Sequence, residues 1–132
     1  MQGVGESDGP EGVVDSSVIA EIAEAGGVEL LGMLAETAET EARARFEQLR
    51  EACELGSADA VERALHSLKG TGAGIGLVTF GAESQMLLDQ AREGCLPDEA
   101  TRLALDARWR AGFAVFEAEC AALRAADQGA VG

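Results

Sequence analysis

The spacing of apolar residues in the first half of the chain is the feature that most limits its fold. Between residues 28 and 54 the apolar positions follow one another at steps of four, four, four, four, three and four. They are Leu30, Leu34, Ala38, Ala42, Phe46, Leu49 and Cys53. These steps match the 3.6-residue repeat of an α-helix, so the pattern predicts one long helix with a single buried face.

Three later segments carry similar patterns, beginning near residues 58, 77 and 96, and glycine or proline stands at their boundaries. A further short helix is expected between Asp15, a good N-cap, and the pair Gly26-Gly27. No segment alternates apolar and polar residues as a half-buried strand would. The prediction is an all-α fold, an antiparallel up-down four-helix bundle with an additional short N-terminal helix as a lid.

The domain boundaries follow from local composition. Residues 1–13 are rich in Gly, Glu, Asp and Ser and are predicted to be disordered. Residues 14–126 are assigned to the bundle, and residues 127–132 to a small, polar, frayed tail. A chain of 132 residues suits one domain, and its 4% aromatic content favours a core of Leu, Ala, Val and Ile.

The net charge of −14 excludes some partners. No basic patch is available to neutralise a phosphate backbone, so binding to nucleic acid or to an anionic membrane is not expected. The acidic surface favours a monomer. Three cysteines without CxxC spacing disfavour a disulfide framework and a zinc site, which suggests reduced thiols and a cytoplasmic protein.

The single histidine, His66, lies one helical step from the apolar residue Leu65 and therefore off the buried stripe of its helix. Beyond it the side chains on the same face shrink from Lys69 to Gly70 to Ala73, which predicts a flat surface. Considered by itself, the arrangement is that of a surface histidine beside a glycine-rich helix end. One histidine cannot build a zinc cage, and nothing resembles the nucleophile motif of a hydrolase.

The stretch around the histidine resembles the signature of histidine-phosphotransfer (HPt) domains. It reads His66-Ser67-Leu68-Lys69-Gly70-Thr71-Gly72-Ala73-Gly74-Ile75-Gly76. The family pattern is His-x-Leu-Lys-Gly, a hydroxyl residue, small residues, an apolar residue, and Gly ten positions after the histidine. The resemblance extends over roughly residues 15–125.

The resemblance implies a role for each matching residue. His66 would accept and donate the phosphoryl group, and Lys69 would stabilise charge on the transferring oxygens. Thr71 would also serve the phosphoryl site, either through a hydrogen bond to the imidazole or by bonding its own helix backbone.

Other matching positions would shape the surface around the histidine. Gly70 and Ala73 would leave room for the partner, with Arg63 beside them on the docking face. Gly76 would serve the turn into the next helix.

Two positions depart from the family pattern. Gly74 stands where many members have Asn, and Leu88 stands where some have a Gln that reaches the imidazole. Gln85 and Gln90 lie off that second position. The family pattern therefore does not identify the group that orients the His66 ring.

The implied function is that of a phosphoryl carrier rather than an enzyme. No ATP-binding motif or Mg²⁺ cluster is present in the sequence. The expected partners are response-regulator receiver domains, a hybrid sensor histidine kinase, or both, and the receiver would supply the Mg²⁺. The alternative is a helical adaptor that docks a receiver or kinase without accepting phosphate.

Overall fold

The computed structural model describes residues 13–131, with side chains to residue 128, and contains four helices. They are α1 (Ser16–Leu55), α2 (Ala58–Ala73), α3 (Val78–Arg92) and α4 (Glu99–Val131). Helix α2 packs against α1 and α3, and α4 packs against the same two helices, so the bundle is closed. The predicted all-α four-helix bundle is confirmed. Within residues 13–131 no helix is long and apolar enough to cross a membrane.

The N-terminal part of the bundle differs from the prediction of a separate short helix. Asp15 caps α1 by accepting a hydrogen bond from the Ser17 amide at 3.0 Å, and the helix then runs to Leu55. The only interruption is a kink at Gly27, with φ 76° and ψ −173°. The two predicted helices are therefore joined directly, because one glycine absorbs the change of direction and no loop is needed.

Two further predictions concern the ends of the chain. Residues 1–12 lie outside the described part of the chain, and so does nearly all of the segment that was predicted to be disordered. At the other end α4 continues to Val131, through positions that were assigned to a frayed tail.

Aromatic side chains contribute more to the core than their 4% share of the sequence suggested. All five of them form one continuous series of ring contacts across α1, α3 and α4, with centroids 5.2–6.2 Å apart. In order they are Phe46, Phe80, Trp109, Phe113 and Phe116. Aliphatic side chains fill the space around them, although Leu31 is fully buried in α1 where the spacing had favoured Leu30.

A group of polar side chains ties α1 to α4 at the edge of this core. The Arg43 guanidinium donates to both carboxylate oxygens of Asp106, at 3.1 and 2.6 Å. Nearby the Trp109 indole N–H donates to Glu39 at 2.8 Å. The hydrogen bonds from Arg43 hold the pKa of the Asp106 carboxyl below its ordinary value of 3.8.

The turn between α2 and α3 depends on two glycines. A Cβ on Gly72 would lie 2.6 Å from Cδ2 of the buried Phe80 ring, so only glycine allows this approach of the two helices. Gly76 has φ +81°, and its carbonyl accepts from the Asp15 amide at 2.7 Å. The turn that follows the histidine helix is thereby fastened to the start of α1.

The Arg43–Asp106 contact predicts a pH-dependent contribution to stability. Because the folded-state pKa of Asp106 is depressed, its contribution is present above pH 3.8 and is lost as the pH falls through the folded pKa. We expect Asp106→Asn to lower the free energy of unfolding at pH 7 by about 1–3 kcal/mol, with the difference shrinking below pH 3.8. Urea unfolding at several pH values measures this, with the exposed Asp127→Asn on the same helix as control. An equal loss at pH 2.5 would contradict it.

The contact between Gly72 and Phe80 predicts opposite effects for two substitutions in the last turn of α2. Gly72→Ala should destabilise the fold by about 1–3 kcal/mol, because the Phe80 ring is packed between Phe46 and Trp109 and cannot yield. At Gly70 a Cβ would meet nothing within 4 Å. Gly70→Ala should therefore stabilise slightly, by up to about 1 kcal/mol. Denaturation midpoints that move in the same direction for both variants would contradict this account.

Candidate functional site

The imidazole of His66 is exposed on α2, next to residues that are buried and apolar. His66 is exposed, whereas Leu65 and Leu68 on the same helix are fully buried. Within the described residues the imidazole makes no hydrogen bond or ion pair. It shares a shallow depression with Leu88 of α3, which is 2% exposed. The ring is therefore accessible, and the residue beneath it offers only apolar contact.

The antiparallel register of α2 and α3 explains why Leu88 is opposite His66. Lys69 contacts Gln85, and seven residues back along α2, Glu62 contacts Arg92, seven residues further along α3. His66 and Leu88 each lie three residues from the first pair. The register thus sets an apolar side chain against the histidine.

Lys69 lies one helical turn after His66 and is the only lysine in the chain. Its half-buried side chain crosses to α3, where the ammonium donates to Oε1 of Gln85 at 2.5 Å. It forms no salt bridge with any carboxylate of residues 13–128. No carboxylate of the described residues therefore pairs with the one lysine, which lies one helical turn from the imidazole.

Gln85 is held in turn by a second contact on α3. Its Nε2 donates to Oδ1 of Asp89 at 2.8 Å. Asp89 also lies 3.6 Å from Arg92, whose guanidinium is 3.6 Å from Glu62 on α2. The side chains form a continuous set of polar contacts, and its two ends lie on α2 on either side of His66. In order they are Lys69, Gln85, Asp89, Arg92 and Glu62.

The sequence indicates no role for Gln85, which lies off the position where the family's glutamine reaches the imidazole. The four-residue spacing of Gln85 and Asp89 is a local signal that was available. The contact with Lys69 had no such signal, since it depends on the pairing of two helices.

The Thr71 hydroxyl donates to the backbone carbonyl of Ser67 at 2.9 Å. Of the two alternatives left open for this residue, the structure has the bond to its own helix. Arg63 is exposed and pairs with Asp59, one turn earlier on α2. Neither residue contacts the imidazole through a hydrogen bond.

The surface on the C-terminal side of His66 is open and increasingly apolar. Gly70 and Ala73 are exposed, and no atom would meet a Cβ at Gly70 within 4 Å. Beyond Ala73 a depression is lined by Lys69, Val78 and Gly81, and Val78 is 51% exposed. Gly76 closes the turn at the edge of this depression. None of the side chains of residues 13–128 covers the histidine on this side.

The described residues contain no group of three or more His, Cys, Asp and Glu side chains arranged to hold a metal ion. The site consists of one exposed imidazole, one lysine ammonium and an open surface.

Comparisons with known proteins agree on one family. The Hpt domain family matches residues 29–126. A crystal structure of histidine-containing phosphotransfer protein B (HptB) from Pseudomonas aeruginosa PAO1 superposes with a TM-score of 0.72 at 25% identity. The match covers 81% of this chain and 93% of that protein. No curated protein sequence matches significantly. Since the family match spans most of the chain and the fold agrees, the chain belongs to the Hpt domain family of histidine phosphotransfer proteins.

Proposed function

We propose that this protein carries a phosphoryl group on His66 between the aspartate of a receiver domain, or a kinase, and a response regulator. The observation that carries the proposal is that the only histidine is exposed at a surface left open by the described residues, with the only lysine one turn away. Membership of the Hpt family supports the same reading, because its members are phosphoryl carriers and not enzymes.

The chemistry requires a neutral imidazole with a free nitrogen lone pair. That lone pair attacks the phosphorus of a receiver aspartyl phosphate. The N–P bond forms as the acyl O–P bond breaks, and the carboxylate leaves with the bonding electrons. The proton on the other ring nitrogen remains there or passes to water. In the return step a second receiver aspartate attacks, and the imidazole is the leaving group.

The two proteins would share the catalysis. The receiver would bring the aspartate, a lysine and the Mg²⁺, while this chain brings His66 and Lys69. The Lys69 ammonium is suited to the equatorial phosphoryl oxygens, where charge is spread during transfer. Thr71 would act indirectly, by fixing the helix backbone beside these residues through its bond to Ser67.

The docking surface would extend from Arg63 across Gly70 to Ala73. The absence of side-chain bulk at Gly70 supports close approach of a receiver loop to the imidazole. Arg63 at the opposite margin would meet acidic groups of the partner.

His66→Gln is the direct test of the carrier role. Wild-type protein incubated with a ³²P-labelled receiver should acquire label that is stable in alkali and lost in acid. His66→Gln should acquire none, because no other imidazole is present in the chain. Circular dichroism and receiver binding should be unchanged in the variant, since His66 is exposed. Label that survives the substitution would overturn the proposal, and a receiver that binds wild type without labelling it would favour an adaptor.

Lys69→Ala tests electrostatic stabilisation of the transferring group. We expect the maximal rate of transfer to fall roughly 10- to 100-fold, with little change in unfolding free energy, because one charge-stabilising donor is removed. Arg124→Ala is the charge-matched control. It removes one positive charge from an exposed site on α4, which lines a different groove from His66. A wild-type rate in Lys69→Ala would show that this lysine takes no part in transfer.

A further inference from the structure

Lys69 contacts an amide, although the chain offers 24 acidic residues as partners. A flexible lysine would lose side-chain entropy if it had to be ordered at the moment of transfer. The contact with Gln85 supplies that order beforehand. A carboxylate in the same place would also supply it, but would cancel much of the positive charge that the phosphoryl oxygens need.

The orientation of the Gln85 amide is determined by its neighbour. A carboxylate only accepts hydrogen bonds, so the contact of Asp89 at 2.8 Å must involve the NH₂ end of the amide. The carbonyl oxygen of Gln85 then faces α2, where Lys69 meets it at 2.5 Å. Asp89 thus sets the direction of the amide, and the amide holds the ammonium.

The position of these residues around the histidine is consistent with this arrangement. Leu88, between Gln85 and Asp89 in sequence, is buried and lines the same depression as His66. The contacts of Arg92 with Asp89 and Glu62 join the two helices on the other side of His66. Contacts between α2 and α3 on both sides of His66 therefore fix the register of the α3 segment that holds Lys69.

We infer that Gln85 is a positioning residue for phosphotransfer, which holds the Lys69 ammonium beside His66 as a full positive charge, and that Asp89 orients Gln85 for this purpose. The inference rests on the proposed carrier function. It assigns no contact between Gln85 and the phosphoryl group, since Gln85 acts through Lys69.

The kinetic test uses single-turnover transfer from a phosphorylated receiver over a range of receiver concentrations. Gln85→Ala should lower the maximal rate roughly three- to tenfold, less than the approximately hundredfold cost of a misplaced reacting group. The half-saturating receiver concentration should not change. Gln85→Glu should also slow transfer, because a carboxylate would neutralise Lys69. Gln90→Ala is the matched control, an exposed glutamine on the same helix, and should transfer like wild type.

A double-mutant cycle separates positioning from a general structural effect. If Gln85 acts only through Lys69, Gln85→Ala should cost nothing further in the Lys69→Ala background. Equal losses in both backgrounds, or a wild-type rate for Gln85→Ala in the Lys69 protein, would overturn the inference. Urea unfolding of each variant shows whether any rate loss reflects a damaged fold.

A spectroscopic readout tests the contact without phosphotransfer. Because Lys69 is the only lysine, ¹³C,¹⁵N-lysine labelling gives one side-chain signal. Its Cε order parameter should be high in wild type and Gln90→Ala, and low in Gln85→Ala and Asp89→Ala. Free rotation in wild type would overturn the inference.

A wild-type protein that accepts no phosphoryl group would contradict the proposed function and this role together. Normal labelling of wild type, with a wild-type transfer rate in Gln85→Ala, would overturn the role alone.

Discussion

The packing of α2 against α3 is the contact on which the rest of the site depends. Gly72 lets the Phe80 ring lie against the α2 backbone, and Gly76 turns the chain so that α3 runs back along α2. Once these two glycines fix the register, Leu88 is set against His66 and Gln85 against Lys69. Phe80 also continues into the aromatic series through Trp109. The geometry around the histidine is thereby connected to the centre of the core.

Six of the nine arginines pair with carboxylates of the described residues, whereas Lys69 and the other three arginines do not. Nine of the ten basic residues are arginines, and arginine makes every salt bridge among residues 13–128. The bidentate contact of Arg43 with Asp106 is typical, because a planar guanidinium matches a carboxylate. The single lysine is kept out of such pairs and bound by a neutral amide. In a chain of net charge −14, this keeps one uncancelled cation beside the histidine.

Much of the fold follows from local patterns. Helical spacing and the glycines at the segment boundaries predicted α2 and α3 to within a few residues, and Asp15 was predicted as the cap at which α1 begins. The kink at Gly27 was read as a helix end, since a glycine pair that stops one helix and one that bends it look alike in sequence. The choice of Leu31 over Leu30 for the core was also missed. Leu31 lies seven residues before the buried Ala38 and therefore on the same face of the helix.

The pattern from His66 to Gly76 was enough to predict the family, and the place of the histidine beside a buried stripe was enough to predict its exposure. The lack of a side chain at Gly70 likewise predicted the flat surface next to the histidine. The family pattern had already set Leu88 opposite His66, and both residues line one depression. Only the folded structure shows that Gln85 holds Lys69, a contact between residues 16 positions apart on two helices. Their pairing depends on helix register, which the close approach of Gly72 to Phe80 fixes and which no local pattern records.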